Sequence, residues 1–134
     1  MSQKARYPIP TKISDQYTQE RLTSSKEREY IKARVFKDFL TSDDYKDSIL
    51  FDCRLLEKKI FNLKNKAAAN VAQFKILGCI EPDLWEEIKT ETDLAAGAST
   101  YEWDTEPWAF VKIQVKSKLA DTPAKITAYI GGQS

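Results

Sequence analysis

Few side chains in this sequence could do chemistry, and their spacing assigns them no reaction. The 134-residue chain contains no histidine. That removes the usual general base, the Ser-His and Cys-His nucleophile pairs, and the commonest metal ligand. Its two cysteines, Cys53 and Cys79, cannot close a zinc site without ligands from another chain. Glu102, Asp104 and Glu106 alternate beside Trp103 and Trp108, a spacing that on one strand face could hold a hard cation. A calcium loop would also need its glycine and its long glutamate, and neither is in place. No phosphate-cradling glycine loop and no dinucleotide fingerprint occurs. The expectation is a protein that is not an enzyme, with no cofactor, no metal and no small-molecule substrate.

Two residue sets could instead recognise a macromolecule. Leu63, Ala67, Val71, Phe74 and Leu77 recur at steps of three and four, with Asn70 beside them as a polar residue able to fix register. Lys58, Lys59 and Lys66 flank that stripe. Together they predict a contact surface for another protein chain or a second copy. The alternative set is Trp108, Phe110, Lys112 and Lys116, which alternate, with Lys118 and Lys125 following. Aromatic faces to stack on and lysines to hold phosphates are what a single-stranded nucleic-acid surface uses.

The elements that would position these residues read as follows. From Asp44 to Leu77 no Pro or Gly occurs, and Gly78 follows. Tyr45, Ile49, Cys53, Leu56, Ile60 and Leu63 continue the same three-and-four spacing, which predicts one long amphipathic helix. A shorter helix is expected over Lys26–Leu40, with Ser24 and Glu27 as a capping box and Ile31, Val35 and Phe39 as its stripe. Thr41 to Asp44 would turn the chain into an antiparallel helical hairpin. Pro82 opens a third, short helix fading by about Asp93. After the loop AAGAST the pattern changes. Val111, Ile113 and Val115 alternate, as do Ile126, Ala128 and Ile130, and SKLADTPA lies between them. That predicts a C-terminal β-hairpin packed on the helices, with Tyr101 to Trp103 as a third strand. The expected class is α+β. Residues 1–22 form an extended or flexible arm, 23–131 one domain, and 132–134 a loose tail.

Charge gives a second clue to mode of action. Twenty-one Lys and Arg against twenty Asp and Glu leave a net charge of +1, which argues against a wholesale nucleic-acid binder. The charges are nevertheless segregated: basic from Cys53 to Ile80, acidic from Glu81 to Pro107, basic again afterwards. Such an order predicts that the acidic block lies against its basic neighbours, within the chain or between copies. No apolar run is long enough to cross a bilayer, and the first twelve residues lack the apolar core of a secretory signal. Two cysteines and no sequon predict free thiols in a reducing, intracellular setting. The sequence thus reads as a small subunit or adaptor of a larger intracellular or viral assembly. Its apolar stripe exceeds what the first helix can cover.

Overall fold

The computed structural model describes residues 30–134, and among them there is no helix. Nine strands run in chain order: β1 Tyr30–Leu40, β2 Lys46–Asp47, β3 Phe51–Asp52, β4 Lys58–Asn65, β5 Ala72–Cys79, β6 Glu86–Leu94, β7 Ser99–Asp104, β8 Phe110–Ser117 and β9 Lys125–Gln133. They form two sheets. One has the order β1-β9-β4-β7; the other has β2-β8-β5-β6, with β3 also on β8. Only β5 and β6 are consecutive neighbours in one sheet. With β2 and β3 counted as one interrupted strand, the other links pass from sheet to sheet, the interleaving of a jelly roll.

This overturns the α+β expectation. The helical hairpin, the unbroken Asp44–Leu77 helix and the short helix after Pro82 are all strands and loops. The capping residues Ser24 and Glu27 and the arm over residues 1–22 lie outside the described residues. The C-terminal pair of strands exists, but not as a hairpin: β8 and β9 lie in different sheets. Residues 132–134, read as a loose tail, begin inside the structure, since Gly132 and Gln133 belong to β9 opposite Lys59 and Lys58.

The physical reason lies in burial. Helix propensities separate ordinary residues by only about 0.7 kcal/mol at most, whereas burying one large apolar side chain contributes about 1.5–3 kcal/mol. Two facing sheets bury Phe61, Leu63, Ile126 and Ile130 from one side and Phe74, Ile76, Val111 and Ile113 from the other, each at most 1% exposed. On β4 the inward positions are Lys59, Phe61, Leu63 and Asn65 and the outward ones Lys58, Ile60, Asn62 and Lys64. The strand alternates cleanly in space. Because two of its inward residues are polar, the sequence hides that period.

Those polar residues are satisfied. Asn65 donates through Nδ2 to the carbonyls of Asn70 and Leu94 (2.9 and 3.0 Å) and accepts from the Ala67 amide (2.9 Å). It thereby pins the β4–β5 loop and the end of β6. Thr41 and Ser117 share a hydroxyl contact of 2.7 Å, and Thr41 Oγ1 accepts from the Ala124 amide. This ties the β1–β2 link to the β8–β9 turn. Buried polar groups with partners of this kind fix loop positions, because leaving one unmade costs about 1–3 kcal/mol.

Candidate interaction surface

The β7 border of the four-stranded sheet carries two of the three most exposed aromatic residues among those described, the third being Tyr30 on β1. Cross-strand registers set Trp103 against Ile60 and Gly131 in one row, and Tyr101 against Asn62 and Tyr129 in the next. Tyr101 is 60% exposed and Trp103 52%. Their rings meet edge to face at 6.3 Å. Lys58 Nζ stands 4.3 Å from the Trp103 ring centroid, and Lys32 Nζ 5.9 Å from that of Tyr129. Rings held this way lose little freedom on contact, so they suit a binding surface.

Among the described residues, β7 is also a border with no strand on its outer side. The Asn65 amide donates to Ala98 on the β7 side and the Lys66 amide to Lys125 on the β9 side. Antiparallel ladders alternate such pairs. Hence Thr100, Glu102 and Asp104 hydrogen-bond to β4, while Ser99, Tyr101 and Trp103 point their N–H and C=O groups away from the sheet.

Two other borders, β6 and β1, are irregular or positively charged, features that deter pairing with a like strand. β6 has two register breaks against β5, on either side of Ile76. β1 carries Lys32, Arg34 and Lys37 and is interrupted by Asp38, whose φ is +46°. β7 has no proline, no lysine and no register break against β4, and its two charged residues, Glu102 and Asp104, are paired with Lys89 and Lys59.

Its far end is clamped from beneath. Lys59 is fully buried, and its Nζ lies 3.4 Å from Asp104 Oδ2, itself 9% exposed. The same ammonium donates to the Glu106 carbonyl. The Glu106 amide donates to Asp104 Oδ2 (3.2 Å). A buried ion pair of this sort adds little net stability, yet losing either partner is costly.

Several charges elsewhere are paired. Lys75 pairs with Glu87 (3.2 Å), Lys89 with Glu102 (3.4 Å), Lys112 with Asp47 (2.9 Å), and Lys118 with Asp93. Part of the acidic block meets the basic segments within the chain: Asp104 pairs with Lys59, Glu87 with Lys75 and Asp93 with Lys118. The Lys118 ammonium, with help from the Gln73 amide, holds the Asp93 carboxyl below the usual carboxylate range. The Lys66 ammonium does the same to Asp38. Burial raises the Asp47 carboxyl, but hydrogen bonds from Gln114 and Lys112 outweigh it and the net shift is downward. Burial and the hydrogen bond to Glu91 push the Tyr45 phenol up.

The predicted contact stripe does not exist as a surface. Leu63 faces the core from β4, Phe74 faces it from β5 in the other sheet, and Leu77 is 8% exposed. Ala67, Asn70 and Val71 occupy the loop between those strands and are half-buried. Asn70 donates to the Pro123 carbonyl. Of the flanking lysines, Lys58 stacks on Trp103, Lys59 is buried, and Lys66 pairs with Asp38 at 3.0 Å.

The alternative nucleic-acid set is likewise engaged. Trp108 packs on Gly78, Arg54 lies over Phe110, and Lys112 is buried between Asp47 and Trp85. Lys116 lies over Tyr45, the exposed Lys118 pairs with Asp93, and Lys125 is exposed at the start of β9. Sequence reasoning named Tyr101 and Trp103 only as a third strand. The alternation Y-E-W-D was the available signal for which side chains face out.

Cys53 and Cys79 are free and buried. Burial pushes the Cys53 thiol up to about 11 and that of Cys79 upward. They lie two ladder rungs apart. The Cys53 amide donates to Ala109, whose amide donates to Cys79, a span of roughly two strand spacings, beyond disulfide reach. No group of three or more His, Cys, Asp or Glu among the described residues is arranged to hold a metal. No helix among them is long and apolar enough to cross a membrane.

Scans of protein-family models and of curated proteins give no match. Among solved structures, the chain is similar to one from Bacillus endospore appendages, which form disulfide-linked pili. That match has a TM-score of 0.51 and 10% identity, over 86% of this chain and 97% of that one. A chain of infectious bursal disease virus, Gx strain, matches at a TM-score of 0.49 and 12% identity, over 94% of this chain and 36% of that one. At such identities the first similarity establishes the shared fold and nothing further.

Proposed function

We propose that this protein is a structural, non-enzymatic subunit that associates with other copies of itself through the β7 border and the aromatic face beside it. One observation carries the reading: among the described residues, β7 offers a row of backbone donors and acceptors with no strand beside it, next to the exposed Tyr101 and Trp103. An added strand would satisfy those groups and cover the two rings, the mode called β-strand addition. The similar chain from endospore appendages belongs to pili, so a sandwich of this layout is compatible with stacking into a polymer. Folds host many functions, and the surface rather than the fold supports the proposal. Disulfide linkage has no counterpart here, because both thiols of this chain are buried.

The test removes the border without touching the ladder. Tyr101→Pro deletes an outward N–H and leaves the β4–β7 hydrogen bonds in place. Tyr101→Thr keeps the donor and the strand preference but loses the ring. Light scattering over a concentration series should show association of the natural protein, its loss in Tyr101→Pro, and its partial retention in Tyr101→Thr. One lost backbone hydrogen bond, at about 1 kcal/mol, alone weakens the contact about fivefold. A natural protein that stays monomeric at every concentration refutes the reading.

A further inference from the structure

We infer that the copies join head to tail, the β6–β7 flank of one against the β1 flank of the next. The inference rests on the subunit reading above and adds its polarity. The two sheets share two flanks. On one, β6 passes directly to β7 through residues 95–98, and Lys89 of β6 pairs with Glu102 of β7. On the other, β1 passes to β2 through residues 41–45. β1 and β7 are the opposite borders of one sheet, and β2 and β6 those of the other.

The flanks carry charge of opposite sign. On β1, Lys32, Arg34 and Lys37 are exposed and, among the described residues, have no carboxylate partner, while Asp38 is engaged by Lys66. The following link carries Asp43 and Asp44 and β2 opens with Lys46, which leaves the described residues of this flank positive. Across the molecule, Glu81, Asp83 and Glu86 are exposed without a cationic partner among the described residues, and Glu91 meets only the Tyr45 hydroxyl (2.6 Å). The remaining acids there, Glu87, Asp93, Glu102 and Asp104, are neutralised by lysines of their own chain.

Exposed apolar side chains are available to both sides: Ile31 and Leu40 on β1, Tyr101 and Trp103 on β7. A symmetric β7-to-β7 or β1-to-β1 contact would set like charge against like. Joining β7 to β1 matches positive to negative, and complementary potential of this kind selects orientation. Such a contact uses two different patches, so it leaves a free patch at each end and extends into a ring or an open chain.

Mixing two blocked variants of the full chain tests this. Tyr101→Pro blocks the β7 side, with Tyr101→Lys as a second variant that leaves the backbone unaltered. Lys32→Glu/Arg34→Glu/Lys37→Glu blocks the β1 side at exposed positions, with the triple Gln variant as a milder form. Circular dichroism and the melting temperature confirm that each is folded. Head-to-tail joining requires that the natural protein grow past a dimer with concentration and that each blocked variant be monomeric alone. An equal mixture must then form dimers that do not grow, with affinity falling as salt rises. If the natural protein stops at a dimer, and the β1-blocked variant alone still forms it, the contact is symmetric through β7. That result overturns the polarity and leaves the subunit reading standing. A natural protein monomeric throughout overturns both.

Discussion

Asp104→Asn should be among the costliest single-atom changes in the molecule. Lys59 is fully buried, and Asp104 is the one carboxylate within ion-pair distance of it among the described residues. The amide keeps the shape of the carboxylate but removes its charge, stranding an ammonium in the core. Breaking a buried pair from one side costs about 3–5 kcal/mol. The Glu106 carbonyl still accepts from Lys59, which puts the expectation at the lower end, about 3 kcal/mol. With a urea slope of about 1.5–2 kcal/mol per molar for a domain of this size, the midpoint should fall by about 1.5–2 M. Lys59→Met/Asp104→Asn should recover much of that loss, because no unpaired charge is then left inside. A double-mutant cycle should therefore show coupling of about 2 kcal/mol. An Asp104→Asn midpoint within experimental error of the natural protein, or strictly additive effects, would refute the clamp. It would also remove the argument that Lys59 fixes the end of β7.

Two further outcomes follow from packing and charge. Gly78→Ala places a Cβ 2.6 Å from Trp108 Cδ2 and 2.9 Å from Ile88 Cδ1; the rigid indole must move, so calorimetry should show a loss of about 1–3 kcal/mol, seen as a melting temperature lower by several degrees. Asp93 and Asp38 are held below the usual carboxylate range by Lys118 and Lys66, so their contribution is full above the unfolded value, near pH 4, and is lost as pH falls through the lower folded values. Melting curves between pH 6 and pH 2.5 should accordingly flatten in Lys118→Ala and Lys66→Ala, and an unchanged slope would show that neither pair contributes.

Some of this was legible in the sequence. The inward set of β8, Val111, Ile113 and Val115, and that of β9, Ile126, Ala128 and Ile130, are all fully buried as their alternation implied. Contact between the acidic block and its basic neighbours was legible too, within the chain or between copies; the structure makes it for Glu87, Asp93 and Asp104 within the chain. The long helix was misread for a definable reason. β4, a loop and β5 happen to space Leu63, Ala67, Val71, Phe74 and Leu77 at helical intervals, while the inward Lys59 and Asn65 mask the two-residue period. On β6, Glu86, Glu87 and Glu91 favour a helix locally, and the alternation Ile88, Thr90, Thr92, Leu94 is too mild to announce a strand.

By itself the sequence determined which side chains would be buried on β8 and β9, the absence of histidine chemistry, and the division of charge along the chain, because each depends on residues near one another. Only the tertiary structure decided that these strands cross between sheets, that Lys59 is interior, and that β7 ends a sheet with nothing beside it among the described residues. A helix completes its hydrogen bonds within a few residues. A strand completes them with a partner that here stands 75 residues away at Lys58 and Gln133 and at least 85 away between β1 and β9, and no local pattern names that partner.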